Sequence, residues 1–466
     1  MKRSLISCGL YLFFQCTILF GQSYGSWVAI DSLNEARYSH TAIQLIDGRV
    51  LVVGGIGSND PKSCEIYDTV TNKWSFVAKT IYERWRHKVI MLDSKRILAV
   101  SSPVTKTCEI YDPIQNIWTL TDSLKAGRVL AEHELIKLKD GRVLVIGGLT
   151  RDYSEIEKGT LRLCELYDEN LDKWEVVDSM IERRQSHSAI LLKDGRVLVS
   201  GGISFLDPLA TYEIYDPAIN KWESTTPMNI ARESHKSILL PDGKVLVVGG
   251  YSNNNLFPTR SCEIYDPNLN RWQLVDSTQV VGSAGEVFIL DERNLILIGA
   301  NSTQNLIWEI YDYIDFKSKF VGYYFTGSFS TTKIQLKDGR ILISGGVTTP
   351  DNFQYLPVKK CFIFDLNTSV VNEEIRNTAY PKIKVQNYPN PFNYSTKIRF
   401  FLEKPSWVKI EIINLLGEII EQIIDSEQNA GHQEYIFSAE GLSSGIYFSR
   451  VIIENQIEIK KLLLLK

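Results

Sequence analysis

The chain contains 466 residues, with 51 Lys and Arg against 55 Asp and Glu, which gives a formal net charge of −4. Hydrophobic residues make up 44% and charged residues 23% of the sequence, proportions that are typical of folded proteins and exclude a disordered chain. The slightly acidic balance, without any basic block, excludes an electrostatic surface for nucleic acid or for an anionic membrane.

The N-terminus has the pattern of a secretory signal peptide. A basic start precedes an apolar run over residues 5–20, and Gly21 is a small residue suited to cleavage. The run is too short, and too often interrupted by polar residues, to span a membrane. We predict a signal peptide over residues 1–21, no transmembrane segment and an exported protein.

One sequence motif recurs along the chain with a period near 50 residues. It begins with an Asp-Gly pair, continues through an apolar run to a double glycine, and ends with a Tyr-Asp pair and a Trp six residues later. The Asp-Gly pair starts at Asp47, Asp140, Asp194, Asp242 and Asp338, and the Trp stands at Trp74, Trp118, Trp174, Trp222 and Trp272. An Asp-Gly pair supplies the positive φ that a tight hairpin needs. A fixed period of this length indicates stacked units that bury their faces against one another.

Each unit is predicted to contain four short strands. The double glycine, the Tyr-Asp pair and the Trp together resemble the kelch repeat of β-propellers, such as the central domain of galactose oxidase. Seven units follow one another, so the resemblance implies an all-β fold with a seven-bladed kelch β-propeller over residues 22–371.

The N-terminal strand is predicted to close the ring. Trp27 stands 13 residues before His40, the distance that separates the Trp of several units from the next His. We therefore expect residues 26–31 to complete the last blade, which leaves no free strand edge. Val370 and Val371 are the alternative occupants of that place.

The repeat stops after residue 371, and residues 372–386 are predicted to form a polar linker. Residues 387–466 alternate like β-strands and predict a small antiparallel β-sandwich. Their motifs resemble, in order, the type A C-terminal sorting domain of the bacterial type IX secretion system (Por secretion family). The matching residues are Asn387, Tyr388, Pro389, Asn390, Pro391, Phe392, Gly417, Gly441, Gly445, Lys460 and Lys461. The resemblance implies the type IX machinery as a partner and delivery to the cell surface or the medium; an accessory adhesive sandwich is the alternative.

Four arginines, each three residues before a repeat His, are the candidate ligand-binding residues. They are Arg37, Arg84, Arg184 and Arg232. We expect them at the mouth of the propeller channel, where guanidinium groups bind carboxylates or sulfates through paired hydrogen bonds. Solvated or inter-blade arginines are the alternative. The carboxylates of Glu35, Glu83 and Glu233 are the candidates for acid–base chemistry, should the protein be an enzyme.

Histidines and cysteines each occupy one position of the repeat. These residues are His40, His87, His133, His187 and His235, and Cys64, Cys108, Cys164, Cys262 and Cys361. Ligands that stand one to a blade do not converge on a metal, and equivalent cysteines of neighbouring blades lie too far apart for a disulfide. Galactose oxidase holds copper through residues that include an adjacent Tyr-His pair, which this chain lacks. We predict no metal, no cofactor and buried free cysteines.

The loops between the double glycine and the third strand vary in length, whereas the other turns hardly vary. Length variation on one face of a rigid scaffold marks a binding surface, so residues 149–163 and 347–360 are the leading candidates for ligand contact. We predict a monomeric binding protein for a protein or glycan ligand, with no catalytic residue assigned. A carbohydrate-active enzyme, an isomerase, mutarotase or hydrolase acting at the channel mouth, is the alternative.

Overall fold

The computed structural model describes residues 26–365 and 385–465, apart from residues 58–59, 129–132, 151–158, 206, 253–256, 301–305, 324–329, 349–355, 403, 415–418 and 454–455. The chain divides into two compact units, Met1–Val370 and Val371–Lys466. All regular elements of the described residues are β-strands, which confirms the all-β fold class. The predicted signal peptide, most of the predicted linker and much of the two candidate loops lie outside the described residues.

The first unit begins with strand β1 (Ser26–Ala29), and the next twelve strands form three blades. Blade 1 contains β2 (Thr41–Gln44), β3 (Val50–Val53), β4 (Cys64–Asp68) and β5 (Lys73–Val77). Blade 2 contains β6 (Lys88–Met91), β7 (Ile97–Ser102), β8 (Thr105–Asp112) and β9 (Ile117–Thr121). Blade 3 contains β10 (Glu134–Lys137), β11 (Val143–Ile146), β12 (Cys164–Asp168) and β13 (Lys173–Val176).

Blades 4, 5 and 7 carry a short two-stranded ribbon after their second strand. Blade 4 contains β14 (Ser188–Leu191), β15 (Val197–Ser200), the ribbon β16 (Ile203–Ser204) and β17 (Asp207–Pro208), β18 (Tyr212–Asp216) and β19 (Lys221–Ser224). Blade 5 contains β20 (Lys236–Leu239), β21 (Val245–Val248), the ribbon β22 (Tyr251–Ser252) and β23 (Phe257–Pro258), β24 (Cys262–Asp266) and β25 (Arg271–Val275). Blade 6 contains β26 (Val281–Ile289), β27 (Asn294–Ala300), β28 (Leu306–Asp312) and β29 (Lys317–Tyr323). Blade 7 contains β30 (Thr332–Gln335), β31 (Ile341–Ser344), the ribbon β32 (Val347–Thr348) and β33 (Leu356–Pro357), and β34 (Cys361–Asp365).

The blades are arranged in a ring around their first strands. Each of blades 1 to 6 is a four-stranded antiparallel sheet in chain order, without the ribbons. Contacts between first strands run from β2 through β6, β10, β14 and β20 to β26, and from β30 back to β2. The sheet of blade 7 takes its fourth strand from the N-terminus, because β1 pairs with β34 and Trp27 lies opposite Phe364. The described residues thus contain seven four-stranded sheets of this kind.

The double glycine allows each blade to approach the next one closely. Gly54 has φ +61°, and a Cβ there would collide with the backbone oxygen of Arg84 in the following blade. The neighbouring Gly55 N donates a hydrogen bond to that same oxygen, at 2.8 Å. At the closure of the ring, Gly346 N of blade 7 donates to Arg37 O of blade 1, also at 2.8 Å. The glycine pair is therefore a requirement of blade packing, since a side chain would force the two backbones apart.

The hydrophobic core lies between neighbouring blades. Val50 of blade 1 and Leu342 of blade 7, for example, belong to one buried cluster. On the outer side, Trp74 packs on Tyr67 with ring centroids 5.0 Å apart. Its indole Nε1 donates to Asp31 O, in the connection that enters the blade, at 2.9 Å. Burying one large apolar side chain contributes about 1.5–3 kcal/mol. Since most of these side chains are buried between blades, the stability of the ring depends chiefly on contacts between blades.

The second unit is a small antiparallel β-sandwich. Its strands are β35 (Gln386–Tyr388), β36 (Ser395–Leu402), β37 (Ser406–Ile413), β38 (Ile419–Gln428), β39 (Gly431–Ser438), β40 (Gly445–Ile453) and β41 (Gln456–Leu464). They form a sheet in the order β35-β36-β39 and a sheet in the order β38-β37-β40-β41. Ile398 and Phe437 of the first sheet join Ile410 and Val451 of the second in one buried cluster, so this unit has a core of its own.

Candidate functional site

The four candidate arginines are buried inside the blades. Each has no exposed surface and donates to a buried Glu of the third strand in its own blade. The pairs are Arg37–Glu65 at 2.8 Å, Arg84–Glu109 at 2.7 Å, Arg184–Glu213 at 2.7 Å and Arg232–Glu263 at 2.9 Å. Arg37 Nη1 also donates to the carbonyl oxygens of Gly54 and Ser63, at 2.7 and 2.9 Å. This burial does not fit the expected solvent-facing ring of arginines, so we place no ligand on these side chains.

A fifth arginine has the same role in blade 3. Arg128 is fully buried, and its Nη1 lies 2.7 Å from Glu165 Oε1. Its spacing to His133 is five residues instead of three, which hides it from a search that starts at the His. The preceding Trp118 reveals it, because in all five blades the Arg follows a Trp by ten residues.

The buried Glu also fixes the connection that enters each blade. Glu65 Oε2 accepts a hydrogen bond from Asn34 N at 2.7 Å, and Glu65 Oε1 accepts one from Glu35 N at 3.1 Å. A buried carboxylate needs partners for both oxygens and for its charge. The Arg, the Glu and the connection therefore form one structural unit, which repeats in blades 1 to 5.

Blade 6 keeps this Glu but lacks the Arg. Glu309 has no exposed surface, and its Oε2 accepts from Gln279 N and Val280 N at 2.7 and 3.1 Å. Its Oε1 has no hydrogen-bond partner among the described residues. The sequence has Gly282 where the Arg is expected, ten residues after Trp272. Burial raises the pKa of the Glu309 carboxyl because it disfavours the charged form, and the positive charge of Arg260 offsets this effect only in part.

The variant Glu309→Gln is expected to be more stable than the wild type at pH 7, because it removes this buried charge. A raised pKa in the folded state means that the group's contribution to stability is greatest below its unfolded pKa of about 4.3 and falls as the pH rises. The stability gain of the variant should therefore be small near pH 4 and grow with pH, in urea unfolding curves. The control Glu65→Gln should lose stability at pH 7, because it leaves Arg37 without its carboxylate. Losses of similar size in both variants would contradict this account of blade 6.

Three of the five repeat histidines bond to the preceding blade, whereas the ring nitrogens of His133 and His187 have no hydrogen-bond partner among the described residues. His40 Nε2 lies 3.0 Å from Ser344 Oγ of blade 7, and His235 Nε2 lies 3.0 Å from Ser200 Oγ of blade 4. Burial above all lowers the pKa of both imidazoles to about 3, and the pKa of the other three is also lowered well below the ordinary value. These side chains are therefore neutral at pH 7. Within the described part of the chain, no group of three or more His, Cys, Asp or Glu side chains is placed to hold a metal ion.

The five cysteines of the propeller are free and buried. Burial raises the pKa of each of these thiols to about 12. Since the thiolate is the reactive form, these side chains act as small core residues.

Among the described residues, five charged side chains on the first strands of the blades form what we call the channel cluster. These residues are Lys88, Glu134, Lys236, Glu286 and Lys333. Lys88 Nζ lies 2.6 Å from Glu134 Oε2, which joins blades 2 and 3. Lys236 Nζ lies 2.9 Å from Glu286 Oε1, which joins blades 5 and 6. All four side chains are between 27% and 38% exposed, so both ion pairs are open to solvent and to a ligand.

The cluster acts as one electrostatic unit across the channel. The positive charge of Lys88 contributes to the lowered pKa of Glu286, although the two residues belong to blades 2 and 6. Lys88, Glu134, Lys236 and Glu286 each pair with the residue of the second strand that directly precedes the double-glycine position, next to the loops of variable length. The channel cluster therefore lies at the channel mouth, on the face that the loop lengths single out.

Lys333 is the unpaired member of the channel cluster. It is half-buried on β30, and its side chain makes no hydrogen bond or ion pair with the residues that the structure describes. Burial lowers the pKa of Lys333 to about 8, and only the more distant Glu286 opposes this effect. Since the histidines are neutral, the cluster has three ammonium groups and two carboxylates, and it carries one net positive charge at pH 7.

The structure does not bring the three candidate carboxylates together. Glu35 accepts a hydrogen bond from Ser63 Oγ at 2.6 Å, beside Arg37. Glu83 is exposed, and Glu233 is buried in the connection to blade 5. These side chains belong to the connections of blades 1, 2 and 5, so they do not form an acid–base pair with one another.

Clefts also lie on the opposite face, between the Asp-Gly turns of neighbouring blades. The cleft between blades 2 and 3 has a volume of about 520 Å³ and is lined by Arg96, Asp140, Arg142 and Glu169. These charges are already paired, Arg96 with Glu169 at 2.8 Å and Arg142 with Asp140 at 2.6 Å. Similar clefts recur between the other blades from 1 to 5. We attribute them to the geometry of the repeat, because the same turn residues line each one.

Two parts of the predicted sorting motif meet in the second unit. Asn390 Nδ2 donates to Lys461 O at 2.7 Å, and Asn390 Oδ1 accepts from Leu463 N at 2.8 Å. The buried Phe392 donates from its N to Leu463 O at 2.9 Å and accepts at its O from Leu465 N at 2.8 Å. The Asn-Pro-Phe segment therefore fixes the C-terminal strand β41 in place.

The other predicted sorting residues are distributed over the same unit. Asn387 Nδ2 donates to Ser449 Oγ at 3.1 Å, and Lys460 Nζ lies 2.7 Å from Glu458 Oε1. The remaining ones are Tyr388, Pro389 and Pro391, which are exposed, Gly441, which has φ +81°, Gly445, which begins β40, and Gly417, which lies outside the described residues.

Comparisons with known families agree with both architectures. Residues 37–80, 186–229 and 234–278 match the family described as the kelch motif, and residues 386–465 match the secretion system C-terminal sorting domain. The chain therefore contains kelch motifs and a C-terminal secretion-system sorting domain, which confirms both resemblances. The sorting domain indicates export by the type IX secretion system to the cell surface or beyond, and it implies an interaction with that machinery.

No curated protein matches the chain. Among solved structures, the chain is similar to a fungal alcohol oxidase of the AA5 family in complex with copper, at 12% sequence identity and a TM-score of 0.41. The similarity covers 95% of this chain and 100% of that chain. Within the described residues, no helix has the length and apolar character that crossing a membrane requires.

Proposed function

We propose that the protein is an exported binding protein that takes a glycan or protein ligand at the mouth of its propeller channel. The observation that carries this proposal is the channel cluster. Its two ion pairs, Lys88–Glu134 and Lys236–Glu286, are partly exposed on the inner strands, beside the loops that vary in length. Charged side chains that remain open to solvent inside a concave surface are the groups that orient a polar ligand.

A binding role has more support than the enzymatic alternative. Acid–base catalysis needs two titratable groups placed around one substrate bond, and the candidate carboxylates lie apart in three blade connections. The channel carboxylates Glu134 and Glu286 are both engaged with a lysine. Rigid blades joined by backbone contacts provide a fixed surface, which favours selective binding at low entropic cost.

The proposal also includes the pathway by which the protein is exported. We infer that a signal peptide over residues 1–21 directs the chain across the inner membrane, and that the sorting domain then directs it across the outer membrane. Residues 22–371 provide the binding domain, and they act as a monomer at the cell surface or in the medium.

Thermal unfolding of the protein without its signal peptide, residues 22–466, tests whether the ligand is a glycan. A panel of neutral and acidic oligosaccharides should include a class that raises the melting temperature, because a ligand at 100 times its Kd adds about 2.7 kcal/mol to stability. The double variant Lys236→Ala/Glu286→Ala removes one ion pair without changing the net charge and should abolish the shift. An equal shift in the double variant would exclude the channel as the site, and the absence of any shift would leave only a protein ligand.

A further inference from the structure

We propose that the ligand group bound at the channel mouth is an acidic sugar, whose carboxylate pairs with Lys333 and whose hydroxyls bond to the two Lys–Glu pairs of the channel cluster. This inference rests on the proposed function and names the class of ligand for the same site. It differs from the expectation drawn from the sequence, in which arginines would bind the acidic group of the ligand.

The charge balance of the cluster calls for one acidic group. Lys88 and Lys236 are each neutralised by a carboxylate of a neighbouring blade, at 2.6 and 2.9 Å. Lys333 has no such partner among the described residues, although it is half-buried within the same channel. A buried or half-buried charge without a partner is costly, so a ligand that supplies one carboxylate is favoured over a neutral one.

The two ion pairs indicate which other functional groups the ligand carries. Each pair offers ammonium donors and carboxylate acceptors within 3 Å of each other, which suits the hydroxyl groups of a sugar, since a hydroxyl both donates and accepts. Two acidic groups on the same bound sugar ring would instead bring a second carboxylate towards Glu134 and Glu286 and be repelled, whereas a chain of uronic acids carries only one carboxylate on each ring. One carboxylate surrounded by hydroxyls is the arrangement found in a uronic acid.

The pH dependence of binding follows from the groups that face Lys333. These groups are Glu286 and Lys236 from the neighbouring blades, with Lys88 and Glu134 across the channel and neutral histidines on the adjoining strands. The pKa of Glu286 is lowered and the pKa of Lys236 is raised, because the attraction between the two opposite charges outweighs their burial, so neither group changes its charge between pH 6 and 9. Lys333, with a pKa of about 8, does change its charge in this range. Affinity for an acidic sugar should therefore fall as the pH rises through about 8 and above.

Calorimetric titration of residues 22–466 with trigalacturonate and with galactotriose tests this inference, because the two sugars differ in the carboxylate at C6. The wild type should bind trigalacturonate at least tenfold more tightly at pH 7, since a hydrogen bond to a charged group contributes about 1.5–3 kcal/mol. The variant Lys333→Gln should lose this preference. The control Lys125→Gln, which changes a lysine 55% exposed elsewhere on the propeller, should keep it.

A second variant provides a readout that a merely structural role would not change. Lys333→Arg keeps a charge that does not titrate below pH 12, so it should still prefer trigalacturonate and should keep its affinity at pH 9, where the wild type weakens. Equal affinity of the wild type for both sugars, or an unchanged preference in Lys333→Gln, would overturn the inference and leave the proposed function standing. Failure of both sugars to bind would overturn the inference and also remove galactose-based glycans from the proposed function.

Discussion

Replacing Arg37 by methionine is expected to lower the free energy of unfolding by about 3–5 kcal/mol, the usual cost of removing one partner of a buried ion pair. Both side chains of the Arg37–Glu65 pair are fully buried, and Glu65 also holds the backbone that enters blade 1. Methionine fills part of the space but leaves the carboxylate without a counter-charge. Urea unfolding of residues 22–466, followed by tryptophan fluorescence, measures the loss.

The matched control for this prediction is Arg49→Met. Arg49 pairs with Asp47 at 2.7 Å, but its side chain is 37% exposed, and exposed pairs contribute about 0–1 kcal/mol. A small loss in Arg37→Met, combined with a loss of ligand affinity, would contradict the structural role of this arginine and return it to the ligand site.

Replacing Phe392 by alanine is expected to destabilise the sorting domain by about 3–5 kcal/mol, the usual cost of a Phe→Ala change in a core. Phe392 is 2% exposed and packs on Phe437 with ring centroids 6.1 Å apart. Its backbone also carries two of the hydrogen bonds that hold the end of β41. Since small domains have a total stability of about 5–15 kcal/mol, the C-terminal strand should become accessible to proteases and export should fall.

Limited proteolysis of the full chain and the secreted fraction in a bacterium with a type IX system measure these two effects. The control is Tyr394→Ala, because Tyr394 belongs to the same segment but is 78% exposed and should leave the protease pattern unchanged. Normal protease resistance and normal export of Phe392→Ala would show that the segment does not fix the C-terminal strand.

The blades could be predicted from the sequence because every unit repeats its own structural signals. The Asp-Gly turn, the double glycine and the Tyr–Trp pair are local features, and each recurs at a fixed spacing. Closure by the N-terminal strand was likewise visible in the position of Trp27, which lies opposite Phe364 in the structure. The double glycine was visible in the sequence as a turn signal. Its close approach to Arg84 O of the next blade could not be predicted, because that contact forms only when the blades pack into a ring.

The burial of the arginines could not be deduced from their spacing, because spacing along the chain does not say which way a side chain points. Arg37 and Glu65 are 28 residues apart, and only the fold of the blade brings them together. A partial signal was present, since a Glu stands two residues before the Tyr-Asp pair in each of blades 1 to 5. A repeated Arg and a repeated Glu in one unit indicate a shared structural pair more readily than a ligand site.

The channel cluster left no signal in the sequence, because it does not follow the repeat. The equivalent position holds Thr41 in blade 1, Lys88 in blade 2, Glu134 in blade 3 and Ser188 in blade 4. These side chains come close to one another only because the ring places blades 2 and 6 on opposite sides of one channel. In blade 7 this position holds Thr332, and Lys333 occupies the next one. Variation at these two positions of a regular repeat is therefore the feature that marks the candidate site here.

Hydrogen–deuterium exchange of residues 22–466, with and without saturating trigalacturonate, locates the bound ligand on the propeller and so tests whether the channel mouth is the binding site. We expect slower exchange at the beginnings of β6, β10, β20 and β30 and around Glu286 of β26, where the channel cluster lies. Protection confined to the Asp-Gly turns, or no protection at these inner strands, would contradict a binding site at the channel mouth.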